Sequence, residues 1–127
     1  MPSPPGYMNS RSAKNHAGIP AIITVPFTLG AAGEKQIVEG PEDGRKIRLH
    51  AYTMTGRVAG RVTLMSSGAS TETSLIGQMQ LAAGTPITQD AGLNGLGDCV
   101  IDADLAVSSV TTGVDGNISY SIIPPGA

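Results

Sequence analysis

The sequence predicts an all-β chain: a single antiparallel β-sandwich, Greek-key or jelly-roll in connectivity, behind an extended N-terminal arm. Three observations predict it. In Gly44–Thr53, Ile47, Leu49 and Ala51 alternate with Lys46, Arg48, His50 and Tyr52, which is the period of a strand with one dry and one wet face. A charged face excludes a parallel strand buried on both sides. The composition agrees: 17 Gly and 9 Pro with only 14% charged residues suit short strands joined by turns rather than helices. Finally, seven or eight apolar runs recur between Gly-, Ser- and Asp-bearing breaks, the spacing of a sandwich.

At 127 residues the chain is one domain by size, read as an arm over residues 1–18 and a sandwich over 19–127. The arm carries Pro and Gly at its start, then Arg11, Lys14 and His16, and shows neither structural period. It cannot bury a face of its own. Two readings stay open for it, a disordered tail or an extended arm that orders against a neighbouring subunit. Two bases and one Tyr are too few for a nucleic-acid tract.

The body follows in order. Ala21–Leu29 is the first strand, with Ala21, Ile23, Val25, Phe27 and Leu29 on one face and Pro26 placing it at an edge or bulge. Residues 30–35 form a turn and Gln36–Glu39 a short strand. A loop over Gly40–Gly44 leads into the central strand, whose counterpart is the closing run Asn117–Ile123. Met54–Ala59 reads as a hairpin connection to the strand Gly60–Ser66, and residues 67–71 as a turn. In Leu75–Ala83, the alternation of Gly77, Met79 and Leu81 with Gln78 and Gln80 favours strand over one helical turn. Residues 84–88 stay extended, with Pro86 at an edge, and Asp90–Asp98 is a loop holding Asn94-Gly95. Leu105–Val110 is a strand joined through Gly113–Gly116, a hairpin signal, to the last one. The predicted core is Ile47, Leu49, Val62, Leu64, Val107, Ile118, Tyr120 and Ile122.

Chemistry is sparse. His50 lies on the expected wet face between Arg48 and Tyr52, and the other histidine, His16, is in the arm, so these residues are expected to meet partners rather than catalyse. The single Cys99 leaves no internal disulfide and is expected as a buried thiol. No Cys/His spacing for zinc exists. Asp98, Asp102 and Asp104, with Asp90 and Asn94, could ligate a hard cation or cap turns, but do not follow an EF-hand pattern. Gly92–Gly97 lacks a phosphate-binding Lys, and no Ser is paired with a base. No enzyme, cofactor or metal is expected. The start lacks a signal peptide's pattern, and Ile19–Leu29 is too short and interrupted to span a bilayer, so a soluble, non-exported protein is expected.

Net charge is −2, unevenly spread. Eight basic and four acidic residues precede Thr63, while six acidic residues and no basic one follow it. Either interleaved strands mix the charge on one surface, or opposite patches meet between copies or on a partner.

Gly44–Ala51, Gly60–Leu64, Ser74–Gly77, Leu81–Gly84, Asp104-Leu105 and Gly116–Tyr120 follow one another in an order that resembles small β-sandwich virion proteins of tailed bacteriophages, above all capsid decoration (cement) proteins. The likeness is a rhythm of strands and Gly-bearing turns over residues 44–123. It implies a homo-oligomer, dimer or trimer, on the outer capsid surface, made in the host cytoplasm and bound to the major capsid protein without catalysis, membrane or nucleic acid. Arg11, Lys14, His16, Arg48, His50 and Tyr52 are the candidate partner contacts. The alternative is a carbohydrate- or receptor-binding module of a phage tail or fibre, against which the absence of Trp counts.

Overall fold

The computed structural model describes residues 21–68 and 72–126, and of residues 111 and 112 the backbone alone. Seven strands, β1 (Ile23–Val38), β2 (Lys46–Gly56), β3 (Gly60–Ser67), β4 (Thr73–Leu81), β5 (Ile87–Asp90), β6 (Gly97–Asp98) and β7 (Asp104–Ile123), join in one antiparallel sheet. A 3-10 turn at Gly92–Asn94 is the one helical element among the described residues. Where the sequence predicts two facing sheets, the hydrogen bonding gives a single sheet that curls nearly into a barrel.

β7 is the spine. β1 runs along one side of it, from Ile23↔Tyr120 to Val38↔Leu105. On the other side β2 pairs with the second half of β7, from Ile47↔Ile122 to Gly56↔Val114, and β3 with the first, from Val62↔Ser109 to Ser67↔Asp104. β2 and β3 therefore lie end to end, and the hairpin expected over Met54–Ala59 does not form. β4 pairs with β3, and β5 and β6 with β2, so they too lie end to end. The sheet is thus four long ribbons side by side: β1, β7, β2–β3, β4–β5–β6. In chain order these are the first, fourth, second and third.

All four ribbons break at the same level. β1 shifts register between Ala31 and Gly33, and β7 passes from its β3 pairing to its β2 pairing over residues 110–113. The second ribbon breaks over residues 57–59, and the third at Ala82–Gly84, where Gly84 N–H donates to Gly56 O (2.9 Å). Aligned breaks make a transverse crease, because bulges and glycines let a twisted sheet bend sharply. Gly113 shows why glycine is required there, since a Cβ would come within 2.8 Å of Leu29 O and 3.0 Å of Arg57 Cδ. Expectations of a turn at 30–35 and a hairpin at 113–116 are corrected accordingly: both stretches lie inside continuous strands, β1 and β7.

One core fills the curl. Ile47, Leu49, Val62, Leu64, Val107 and Ile118 are fully buried as expected, and Tyr120 and Ile122 are partly so. Phe27, Leu29, Tyr52, Met54, Leu81, Cys99, Leu105 and Val114 are buried with them. β1 is an edge strand with β7 as its one partner among the described strands, which is where Pro26 belongs.

Candidate functional site

The polar groups with any chemical capacity gather along β2 and the chain that lies against its outer margin. Backbone bonds fasten that chain: Ala91 N–H to His50 O (3.0 Å), Leu96 N–H to Leu49 O (2.6 Å), Cys99 N–H to Ile47 O (2.8 Å) and Asp102 N–H to Arg45 O (2.9 Å). β2 itself carries a register shift between Leu49 and Ala51. Such a bulge reverses the alternation, so Ile47 and Leu49 are buried before it and Tyr52, Met54 and Gly56 after it.

The reversal corrects the expected wet face. Arg48 remains half-buried at the surface, but His50 (4% exposed) and Tyr52 (6%) are inside. Nδ1 of His50 lies 2.6 Å from Gly92 O, and Nε2 lies 2.7 Å from Ser121 Oγ. A carbonyl can only accept, so Nδ1 donates to Gly92 O, and in the neutral ring Nε2 accepts from the serine hydroxyl. The imidazole thereby pins the 3-10 turn to β7. Tyr52 OH donates to Gln89 Oε1 (2.9 Å), and burial pushes the phenol up from its usual range.

Ser121 and His50 have the spacing of a nucleophile and its base. Ser121 is only 1% exposed, however, so a substrate has no approach to Oγ. Cys99 is buried, its Sγ 3.7 Å from Asp104 O, and burial pushes its thiol up to about 11. A thiol so placed stays protonated at neutral pH and is a poor nucleophile.

Each carboxylate considered for a cation has another task. Asp98 accepts from Arg48 Nε (2.8 Å) and Nη2 (3.1 Å) and pairs with Lys46 Nζ (3.0 Å). The Arg48 guanidinium, more than any other neighbour, holds the Asp98 carboxyl below its usual value. Asp102, itself at φ 63°, accepts from Gly44 N–H (3.1 Å), and Asp104 from Gly40 N–H (2.6 Å). Asp90 accepts from Gly92 N–H (2.8 Å). These are loop-tying bonds of the kind short acidic side chains make.

Arg57 and Asp115 form an exposed pair (3.1 Å). Among the described residues both ion-paired carboxylates thus come from the acidic second half and their bases from the first, so the strands interleave the uneven charge. One acidic cluster stands apart. Ser67 Oγ lies 2.8 Å from Glu34 Oε2 and 3.1 Å from Glu72 Oε2, one hydroxyl hydrogen between two carboxylates. No described Lys or Arg forms an ion pair with either.

Of the expected partner contacts, Arg48 is thus at the surface within an ion-paired cluster and His50 and Tyr52 are interior, while Arg11, Lys14 and His16 lie outside the described residues. The role of Ser121, the Arg48–Asp98 pair and the Glu34–Ser67–Glu72 cluster were not foreseen. Only the first left a trace, since Tyr52 and Met54 stand out of phase with Ile47 and Leu49, the mark of a bulge at His50.

The fold and this margin define an all-β protein whose polar side chains mostly fasten loops. No protein family matches the chain, and neither a curated protein nor a solved structure is detectably similar to it.

Proposed function

We propose that this chain is a structural virion protein that binds and reinforces a tailed-phage capsid shell as a decoration protein, without catalysis. The observation that carries the reading is the ribbon order. Cut at the crease, the four ribbons become two four-stranded sets, β1–β7–β2–β5 and β1–β7–β3–β4. That is the connectivity of a jelly-roll sandwich, the finer architecture proposed here, and jelly rolls recur in viral capsid domains. The argument from fold to role is analogy. The site adds a physical reason: His50 and Asp104 tie loops to strands, Asp102 ties one loop to another, and Asp98 ties the short β6 to β2, which stiffens a body that must hold shape on a shell. Many copies held weakly on a shell gain strength from multivalency.

Jelly rolls also include lectins, the second reading. Sugar platforms need exposed aromatics, and among the described residues Phe27 and Tyr52 are buried and Tyr120 is half-buried, which places that reading behind. Within the first, residues 1–18 are proposed as the arm that reaches a neighbour, with Arg11 and Lys14 seeking acidic groups. The test is co-sedimentation of the purified chain with capsid shells of its own phage, followed by heating of the shells. Saturable binding at fixed copy number with delayed shell breakdown is expected. Absence of binding would contradict the proposal.

A further inference from the structure

We propose that Pro26 and Lys35 hold the outer edge of β1 closed to strand pairing by a second copy of this chain. Among the described strands β1, 16 residues long, has one open side; an open edge offers its amides and carbonyls to any similar strand, and a two-fold copy of itself is the nearest such partner.

In an antiparallel ladder each residue directs its N–H and C=O to the same side. The register from Ile23 to Leu29 is unbroken, and Leu29 O lies within 2.8 Å of where a Gly113 Cβ would sit, so it faces β7. Thr24, Pro26 and Thr28 consequently face outward. Pro26 has no N–H to offer there. Lys35, from beyond the crease, folds back so that Nζ donates to Thr28 O at 2.7 Å. The proline removes a donor, the ammonium occupies an acceptor, and a partner strand would have to bury the lysine's charge. Both side chains are exposed and neither belongs to the core, so packing does not account for them. This closure is independent of shell attachment, and it places any contact between copies elsewhere on the molecule.

The test uses the full chain with Pro26→Thr, Lys35→Ala, the double variant and Lys35→Arg. Sedimentation velocity over a wide concentration range is combined with amide hydrogen exchange. The double variant should associate with rising concentration beyond whatever the wild type does, while the amides of Thr24, residue 26 and Thr28 exchange about tenfold more slowly at the high end. Lys35→Arg, which can still donate to Thr28 O, should behave as wild type. Should the double variant unfold, Lys35→Ala alone, a change at an exposed position, gives the reading. Association equal to wild type, or added association with those amides as open as before, overturns the proposal.

Discussion

His50 illustrates how a residue with catalytic capacity serves as a fastener. Its two ring nitrogens satisfy Gly92 O and Ser121 Oγ inside the protein. His50→Ala strands the buried Ser121 hydroxyl, which costs about 1–3 kcal/mol, and releases the exposed turn at Gly92. Chemical denaturation should register that loss, and hydrogen exchange should show the Leu96 amide opening first. Attachment to shells by the folded fraction should stay within a few-fold of wild type, because the ring touches no outer surface. Asp98 makes a pH-dependent contribution. Its carboxyl is held below its ordinary value in the folded chain by Arg48 and Lys46. The stabilisation is therefore present above the unfolded value of about 3.9 and disappears as pH falls through the folded one. Asp98→Asn should be less stable than wild type by on the order of 1 kcal/mol at pH 7. The two denaturation curves should converge below about pH 4, in the window set by those two values. A gap that stays constant down to pH 2 would contradict the assignment.

At the scale of elements, the seven or eight short apolar runs were legible, as was the loop at Gly40–Gly44, and three other connections were not. Each run corresponds to half of a ribbon, or to a piece of one, and the pairing of β2 with the closing run was foreseen from its alternation. The misread stretches, 30–35, 54–59 and 113–116, look like turns because they hold glycine, yet Gly56, Gly113 and Gly116 serve close approach between ribbons, and Gly33 supplies a positive φ (132°) where β1 shifts register. At Gly116 a Cβ would run into Thr53 O and lie 3.0 Å from a ring carbon of Phe27. Gly116→Ala should destabilise by about 1–3 kcal/mol, the cost of forcing atoms into a packed site. A neutral effect in denaturation would mean that the ribbons are not so close. Local pattern cannot distinguish a turn that reverses the chain from a crease that bends it, because both need the same residue. Leu49, whose inward direction was legible, is fully buried. Leu49→Ala should cost roughly 2–5 kcal/mol.

For the whole molecule, the crease and the single core make one cooperative body, and the charge that is uneven along the sequence is largely mixed within it. Glu34 and Glu72 at Ser67 remain an acidic pair with no ion-pair partner among the described bases. The sequence of residues 1–18 supplies bases, Arg11 and Lys14, with no apolar period to bury. The arm proposed there would gain its order from a surface supplied by another chain. Its ionic part should weaken with salt, since exposed charges are screened over about 8 Å at physiological ionic strength. The direct test is co-sedimentation with shells of the full chain and of a chain lacking residues 1–18, at low and high salt. The account predicts that the full chain binds, that the truncated chain keeps its folded circular-dichroism spectrum but binds weakly, and that the difference narrows in high salt. Equal binding by the two chains, or no binding by the full chain, would contradict it.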